Sequence, residues 1–405
     1  MKQAIWLLRA DLRIANNPTL EAALAWRERT SGTLRAIYLP MALDPVSLDE
    51  FPEPIARLSN ARKNYTTACL DSVRQGLTAL HISMLEVHED LSTWLENHAI
   101  DSLFFTYGAA FDERALEARV LATDVTCYGF YSRTLQSASQ VLQSPLPSTY
   151  TPYRKKTEEH LGDRPFPNIQ PFEGRAQLQN AFSPIESEAR AHLYAYVSHQ
   201  GPARHYKSRR NGLLRVQDST KLSAYLSMGL LHPQEVWNRC LEIEAAAGGC
   251  EEVYWIRFEL LWREYFQWVA YEAGAKLFRR EGLKEPLKPL SVAGSPTAFA
   301  LWTQGQTGDA LVDAAMRELK ETGFQSNRAR QNAASYWIHD LKQPWRVGAA
   351  YFEAMLLDYD AASNWGNWAY IAGVGNDPRP FRKFNTEKQA AQYDPDGSYQ
   401  GAWAG

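Results

Sequence analysis

Short apolar segments alternate with helical segments through the first 131 residues, and this alternation constrains the fold more than any other feature of the chain. The strand-like segments are Ala4–Leu8, Leu34–Leu39, Leu80–Val87, Ser102–Tyr107 and Val125–Tyr131. Pro18 opens a helix over Thr19–Arg29. This order predicts an α/β domain with a parallel sheet and helices on both faces. No G-x-G-x-x-G motif follows the first strand, so a standard dinucleotide fingerprint is absent.

The rest of the chain predicts a linker and a helical domain. Residues 132–185 are rich in Ser, Pro, Gln and Thr, which indicates a linker with one helix at 153–161. From residue 186 to 405 the apolar pattern is helical. The clearest helices are Val253–Ala273, Asp309–Thr322, Ser326–Leu341 and Val347–Tyr359. We find no internal repeat.

Composition limits the class of protein. The 405 residues suggest two or three domains. No apolar run approaches the roughly 20 residues of a membrane helix, and charges interrupt the N-terminal run, so no signal peptide is expected. The four cysteines lie far apart, fit no zinc or disulfide pattern, and indicate the cytosol: Cys69, Cys127, Cys240 and Cys250. A net charge of −3 means that any DNA binding must come from a local basic patch.

Two segments have the residue types of a phosphate site and a base-binding site. Tyr206–Gly212 is followed by Asp218–Ser223, whose hydroxyls and Lys221 offer donors to a phosphate. An ordinary helix start has the same residues. Glu259, Trp262 and Arg263 share one helix face, where a carboxylate beside an aromatic ring suits a stacked base. A surface Glu–Arg pair with the tryptophan in the core is the alternative.

Tryptophan and polar residues crowd the last third of the chain. Ten of the 13 tryptophans lie at or beyond Trp237, and a large aromatic core explains most of them. Asn327–Gln331 has two arginines and two amides, which suit phosphates, bases or a solvated helix face. Leu357–Tyr370 combines two acids, two amides and four aromatics, and a buried Asp there needs a partner such as Arg330. Arg382 and Lys383 form a small basic cluster.

These blocks, in this order, resemble the photolyase/cryptochrome family over nearly the whole chain. The opening WLLRADLRIANNPTL is similar to that family's first strand and loop, and SNWGNWAYIAGVGNDPR is its most specific block. YKSRRNG, NRARQ, NWGNWAY and FNTEKQAAQYDPDG resemble the cryptochrome-DASH branch. The resemblance implies an N-terminal antenna domain and a C-terminal helical domain that binds FAD. This chain departs from the branch in having a shorter linker, 132–185, and a shorter C-terminus than is usual.

The resemblance also implies which residues hold FAD. The phosphates would be held by Tyr206, Ser219, Thr220, Lys221, Leu222 and Ser223. Ribose, adenine or isoalloxazine edges would be held by Arg330, Asp358 and Asp360. Asn364 would face the redox-active flavin nitrogen, whose protonation an amide can tune.

The implied activity is light-driven repair of cyclobutane pyrimidine dimers by an electron from photoexcited, reduced flavin. The lesion pocket would be lined by Glu259, Trp262, Asn327, Gln331 and Tyr370. Glu259 would hydrogen-bond the thymine edge, and Trp262 and Tyr370 would sandwich the flipped dimer. Arg328 and Arg382 would contact phosphates.

Two features of this pocket predict the substrate. Relatives that repair the (6-4) lesion have histidines at the positions of Asn327 and Gln331, so that activity is not expected. Tyr370 and Gln331 replace a tryptophan and a methionine of double-strand-specific photolyases. Both replacements favour single-stranded DNA as the substrate. The sequence does not report the oligomeric state, and we assume a monomer.

Flavin photoreduction in the family uses a tryptophan chain. Trp368 and Trp345 match its inner and middle members, but Val292 stands where the outer member is expected. Trp337 or Tyr336 is a candidate substitute. In relatives that bind methenyltetrahydrofolate as an antenna, a glutamate matching Glu113 contacts the folate, although a charged residue at a helix start is also common without a ligand.

Two other functions remain open from the sequence. A photoreceptor that signals without repair would share the fold, FAD and tryptophans. Signalling members often carry a long tail, whereas this chain ends shortly after Asp394–Gly397. A helical module that binds nucleotides or nucleic acid without photochemistry is the third possibility, and it predicts no flavin.

Overall fold

The computed structural model describes residues 2–41, 43–179, 182–284, 293–379 and 382–405. The strands are β1 (Gln3–Leu8), β2 (Thr33–Tyr38), β3 (Val46–Leu48), β4 (Phe51–Ile55), β5 (Met84–Glu86), β6 (Ser102–Thr106) and β7 (Thr126–Phe130). The first helices are α1 (Pro18–Thr30), α2 (Asn60–Ala79), α3 (Leu91–Asn97), α4 (Phe111–Leu121), α5 (Ala138–Val141) and α6 (Tyr150–Leu161).

Helices make up the rest of the regular structure. They are α7 (Glu186–Tyr196), α8 (Tyr206–Arg209), α9 (Ser223–Met228), α10 (Pro233–Ala246), α11 (Glu251–Ala273), α12 (Pro296–Thr303), α13 (Ala310–Thr322), α14 (Asn327–Ser335), α15 (Trp345–Met355), α16 (Ala361–Ala372), α17 (Thr386–Tyr393) and α18 (Ser398–Ala402). Short 3₁₀ turns lie at Pro202–His205, Val216–Asp218 and Gly274–Phe278, and a π-helical turn follows α14 at Tyr336–Asp340. Among the described residues, none of these helices has both the length and the apolar content of a membrane span.

The N-terminal sheet has five parallel strands in the order β5-β2-β1-β6-β7. Its central strand β1 is buried along almost its whole length, as parallel strands covered on both faces are. Asn17 starts α1 by accepting hydrogen bonds from two backbone N–H groups, and Pro18 occupies the first helical turn. The predicted fold class, an α/β domain followed by an all-α domain, is confirmed.

Three predicted elements differ in extent. The strand predicted at Leu80–Val87 covers only Met84–Glu86, because the chain turns at His81, whose φ is 56°. The helix predicted at Ser326–Leu341 ends at Ser335 and continues as the π-helical turn. The helix predicted at Val347–Tyr359 ends at Met355, because Leu356 is extended.

The carboxyl edge of the sheet packs on the helical half of the chain. The loop after β1 is fixed there by Arg13, which is 1% exposed and donates to the carbonyl oxygens of Gly229 (3.0 Å) and Ser132 (3.1 Å). The backbone N–H groups of Ile14 and Ala15 donate to the Glu186 carboxylate at 2.7 and 2.8 Å. Parallel α/β sheets bind ligands at this edge. In this protein, residues that follow the sheet in the chain occupy much of the edge instead.

One apolar core extends across both halves. The largest cluster of buried residues includes Trp6 and Leu8 from β1 together with Tyr225, Trp237 and Leu261 from the helical half. A second cluster is formed mainly by the last helices, contains Trp302, Trp337 and Trp368, and also includes Leu48, Phe51, Ile55 and Ala109 from the N-terminal half. The two halves are therefore joined by a shared interior as well as by the linker.

Gly229 is the residue at which this junction is tightest. Its φ is +72°, and a Cβ would lie 2.1 Å from the carbonyl oxygen of Ala10. We expect Gly229→Ala to lower the free energy of unfolding by about 2–4 kcal/mol, since it combines backbone strain with a clash. Denaturant titration measures the loss. Gly248→Ala is the control, because Gly248 has φ +67° and open space around its Cβ. Equal losses in the two variants would contradict the prediction.

Candidate functional site

A cavity of about 570 Å³ lies among the helices of the C-terminal half. A smaller cavity of about 90 Å³ adjoins it. We call them the main lobe and the inner lobe. Both lobes share walls made by Asn327, Arg330, Gln331, Asp358 and Asp360. Together they have the size of a site for a cofactor-sized molecule.

One end of the main lobe collects the predicted phosphate-binding residues. It is lined by Tyr206, Ser219, Thr220, Lys221, Leu222 and Ser223. Lys221 has a left-handed backbone with φ 55°, and its ammonium lies 4.8 Å from the Phe324 ring centroid. Burial lowers the pKa of Lys221, and the nearby Glu318 carboxylate opposes that shift. Hydroxyls and a partly desolvated ammonium are suitable donors for a diphosphate.

Glu318 makes the stability of this end depend on pH. Burial raises its pKa to about 7, although the Tyr399 hydroxyl donates to the carboxylate at 2.6 Å. Because the folded-state pKa exceeds the unfolded value, the contribution to stability is complete below about pH 4.5 and is lost as pH rises to about 7. Glu264, whose pKa burial also raises to about 7, adds to the same slope.

We therefore expect Glu318→Gln to reduce the fall in unfolding free energy between pH 5 and pH 7.5, without removing it. Thermal melts at several pH values measure this slope. Glu321→Gln is the control, because Glu321 is exposed on the same helix. An unchanged slope in the Glu318 variant would count against this account of the carboxyl group.

Arg330 and Asp358 form an ion pair on the wall between the lobes. Arg330 Nη2 lies 3.0 and 2.8 Å from the two oxygens of Asp358, and its Nε donates to the Gln325 carbonyl at 3.0 Å. The Asp358 side chain is 1% exposed. The pairing inferred from the sequence is confirmed, and it gives the buried carboxylate the partner that it needs.

Asp360 is held by four groups. Its carboxylate accepts from Gln267 Nε2 at 2.8 Å and from the Ser363 backbone N–H at 2.8 Å, which starts α16. Arg133 and Arg263 lie 3.4 and 3.9 Å away. Burial by itself would raise the pKa of Asp360, but the two guanidinium groups hold it below its usual value. Asp360 is therefore a fixed negative charge on the wall of both lobes.

Asn364 and Trp368 line the inner lobe from α16. Asn364 Nδ2 donates to the Ala349 carbonyl at 3.0 Å. This bond uses one of the two amide hydrogens, so Asn364 can offer a ligand its oxygen as an acceptor and its second N–H as a donor.

Glu259 also lines the main lobe and pairs with Arg210. Burial raises the pKa of Glu259, and Arg210 opposes the shift. The neighbour on its own helix, Arg263, turns away and donates to the Arg133 carbonyl at 2.6 Å. The surface Glu259–Arg263 pair considered from the sequence is therefore absent, and a remote residue takes its place.

Trp262 and Tyr370 meet on this side of the cavity. Their ring centroids are 6.1 Å apart and the planes are at 83°, so the rings form an edge-to-face pair and not two parallel plates. Tyr150, from the segment predicted as a linker, stacks on Trp262 at 3.7 Å. The proposed sandwich of a flipped dimer thus requires the rings to reorient.

The predicted DNA contacts have partners within the protein. Arg328 donates to Asn211 Oδ1 at 3.0 Å and lies 4.7 Å from the Tyr393 ring centroid. Arg382 is bonded to Asp377 and packs on Tyr370 at 4.5 Å. Asn327 is exposed at the cavity. Contacts from Arg328 and Arg382 to phosphates stay a prediction, since each would exchange an internal partner for one on DNA.

The tryptophans form contacts that the sequence did not specify. The Trp368 ring lies 6.2 Å from Trp302, and Trp302 lies 4.7 Å from Trp337. Trp345 contacts Trp365 at 5.8 Å. Position 292 lies outside the described residues. Trp302 was not among the predicted electron-transfer residues, and it connects two that were.

Glu113, the predicted antenna contact, is engaged by the protein. One carboxylate oxygen accepts from Arg133 at 2.5 Å, and the other accepts from the backbone N–H groups of Ala109 and Ala110 at 3.1 and 3.0 Å. The folate antenna stays a prediction. Neither Arg133 nor Gln267 was singled out, because each lies far in sequence from the residue that it contacts.

The cavity also fits a large polar ligand on independent grounds. Three buried polar atoms on its wall lack a hydrogen bond within the described structure: Gln331 Oε1, Arg328 Nε and Arg263 Nη2. Buried polar atoms are rarely left without partners, so a ligand with acceptors and donors is expected beside them. FAD, with a diphosphate, a ribityl chain and two heterocycles, has these groups.

Two family models match the chain. The FAD binding domain of DNA photolyase matches residues 255–404, and the DNA photolyase model matches residues 4–171. A cryptochrome DASH of Synechocystis sp. is 33% identical over 440 residues, covering 98% of this chain and 86% of the relative. A cryptochrome DASH of Danio rerio is 32% identical over 445 residues, covering 99% and 83%.

Solved structures of related proteins have the same fold. A cryptochrome of Synechocystis sp. has a TM-score of 0.87 at 30% identity, covering 100% of this chain and 88% of the other. A class III photolyase of Agrobacterium tumefaciens has a TM-score of 0.77 at 21% identity, covering 100% and 86%, and shows the shared fold. The chain therefore belongs to the photolyase/cryptochrome family, in its cryptochrome-DASH branch, and contains that family's FAD-binding domain.

Proposed function

We propose that the protein repairs cyclobutane pyrimidine dimers, preferably in single-stranded DNA, with blue light and reduced FAD. The observation that carries this proposal is that the residues assigned to flavin and those assigned to the lesion line one cavity. Asp360 and Lys221 line the main lobe, and so do Glu259 and Tyr370. A flavin and a pyrimidine dimer bound there would be neighbours, as electron exchange between them requires.

FAD would be held by Lys221 and the hydroxyls beside it at the phosphates, and by Asp358, Asp360 and Asn364 at the rings. Bound reduced FAD would supply, under blue light, the electron that opens the cyclobutane ring, and it would take that electron back. Asp358, Asp360 and Asn364 are buried, and such walls would limit the water around the bound rings.

Glu259 is the residue that we assign to the lesion. Burial raises the pKa of Glu259 and Arg210 opposes the shift, and a carboxyl group that takes up a proton can donate to a thymine carbonyl oxygen that gains negative charge. The ion pair with Arg210 keeps the carboxyl at the cavity wall. In the ionised form the same group accepts from thymine N3–H.

We infer the preference for single strands from the small stacking surface that this pocket offers to a flipped dimer. Tyr370 has a smaller stacking surface than tryptophan, and its ring is already covered by Arg382 at 4.5 Å. Extracting a dimer from duplex costs stacking and pairing energy that a single strand does not demand. Asn327 and Gln331, in place of histidines, exclude the (6-4) lesion from our proposal. We also propose that the protein acts as a monomer in the cytosol.

A repair assay tests the proposal directly. Protein with reduced flavin is mixed with ultraviolet-damaged oligonucleotides, one single-stranded and one duplex, and illuminated with blue light. Recovery of thymine absorbance is expected on the single strand and should be slower on the duplex. A dark sample controls for the light requirement. No recovery on either strand, from protein whose flavin is bound and reducible, would contradict repair.

The second candidate function is light sensing through flavin photoreduction, with little or no repair. The contacts that join Trp368, Trp302 and Trp337 favour it, because they would supply electrons to an oxidised flavin at the inner lobe. Failure of repair together with efficient photoreduction would leave this function as the better account. A purified protein without flavin would support neither and would favour a non-photochemical binding module.

A further inference from the structure

Four charged side chains form a chain of contacts from α4 to the cavity, and we call them the charge cluster: Glu113, Arg133, Arg263 and Asp360. Arg133 Nη1 donates to Glu113 at 2.5 Å, and its Nη2 lies 3.4 Å from Asp360. Arg263 lies 3.9 Å from Asp360 and donates to the Arg133 carbonyl at 2.6 Å. The cluster thus joins the N-terminal domain to the cavity wall.

The charge cluster is largely buried and balanced in charge. The Arg133, Asp360 and Arg263 side chains are 8%, 6% and 13% exposed, and Glu113 is 23% exposed. Burial by itself would raise the pKa of Glu113, but Arg133 and Arg9 hold it low, so it is ionised with Asp360. Two carboxylates therefore neutralise two guanidinium groups. Removing one charge from such a cluster leaves a net charge in a medium that screens poorly.

The Glu113 carboxylate is engaged by groups of the protein. One of its oxygens is used by Arg133, and the other is shared by the N–H groups of Ala109 and Ala110. At the far end of the cluster, Asp360 and Arg263 line the main lobe, and Arg263 Nη2 has no hydrogen bond within the described residues. The free donor and the fixed carboxylate are what the cluster presents to a bound cofactor.

We propose that Glu113 is a positioning residue of the flavin site, which orients and balances Arg133 and thereby sets the electrostatic field that Asp360 and Arg263 present to bound FAD. This inference rests on the proposed function, in which Asp360 contacts the flavin. It assigns Glu113 a role in flavin chemistry in place of contact with a second chromophore.

The charge balance predicts shifts of opposite sign in the flavin midpoint potential. Glu113→Gln keeps an oxygen that can accept from Ala109 and Ala110 but leaves the cluster with one excess positive charge. That charge favours the electron-rich reduced flavin, so the potential should rise. Arg133→Gln leaves one excess negative charge, so the potential should fall. The double variant is neutral again and should return towards the wild-type value.

The measurement is a redox titration of the full-length, FAD-loaded protein, followed by the absorption of the oxidised flavin. Glu117→Gln is the matched control, because Glu117 also lies on α4 but forms its ion pair with Arg9, whereas the ion pairs of Asp360 in the described part of the chain are with Arg133 and Arg263. Local damage to packing would not give opposite signs in the two single variants. If one of the two single variants loses its flavin, the sign of the potential shift in the other variant still tests the proposal.

Asp360→Asn separates the two hypotheses. If this variant shifts the potential while Glu113→Gln and Arg133→Gln behave like the Glu117 control, the positioning role of Glu113 is overturned and the flavin site stands. If Asp360→Asn changes neither potential nor flavin retention, the assignment of Asp360 to the flavin is wrong, and the proposed site fails with it. Opposite shifts in the single variants with recovery in the double variant support the inference.

Discussion

Glu259→Gln is expected to lower the rate of light-driven dimer repair by about 10- to 100-fold while FAD stays bound. The substitution keeps the shape of the side chain but replaces the ionisable carboxyl group by a neutral amide. The amide cannot form the ion pair with Arg210, and it is a weaker hydrogen-bonding partner for the charge that develops on thymine. Single-turnover repair of a damaged single strand, followed by thymine absorbance, measures the effect.

The control for this variant lies on the same helix. Glu252 is the acceptor for the Ser208 N–H on an exposed part of α11 and does not line the cavity. Glu252→Gln should therefore repair like the wild type. Full activity in the Glu259 variant would show that the carboxyl group is not needed at the lesion. Loss of flavin absorption in that variant would instead place Glu259 in the flavin site.

Trp368→Phe is expected to remove most of the flavin photoreduction. Trp368 lines the inner lobe, and its ring contacts Trp302 and Phe352. Phenylalanine fills much of the same space but is far harder to oxidise than an indole. Bleaching of the oxidised flavin band under blue light, in the presence of a thiol, measures the rate.

Two further variants identify the path beyond Trp368. Trp237→Phe is the control, since Trp237 is 1% exposed and belongs to the other core cluster. Trp302→Phe should slow photoreduction if electrons pass through Trp302 and Trp337, whereas Trp345→Phe should slow it if they pass through Trp345. Photoreduction at the wild-type rate in the Trp368 variant would contradict the inner position of Trp368.

The sequence predicted the fold class well, because the period of apolar residues reports which face of each element is buried. It missed the β3–β4 hairpin, since Phe51–Ile55 contains two prolines, and prolines argue against a strand in the middle of a sheet. The hairpin is a separate two-stranded sheet, where edge positions tolerate them. The predicted domain boundaries stay a prediction.

For the site, local patterns identified residues but seldom their partners. The pairing of Arg330 with Asp358 was predicted from two adjacent blocks. The pairing of Glu259 with Arg210 was not, because helical spacing brings Arg263 to the same face and says nothing of a residue 49 positions away. Arg133 and Tyr150 were missed because both lie in the segment that the sequence analysis interpreted as a linker.

The shared interior has a consequence for how the molecule folds. Because β1 residues such as Trp6 pack in the same cluster as Tyr225 and Leu261, neither half can complete its own core. The chain should unfold in one cooperative transition, and a fragment ending near residue 131 should aggregate through the apolar surface that it exposes. A substitution near the sheet can then alter how often the flavin cavity opens, although it lies far from any cofactor atom.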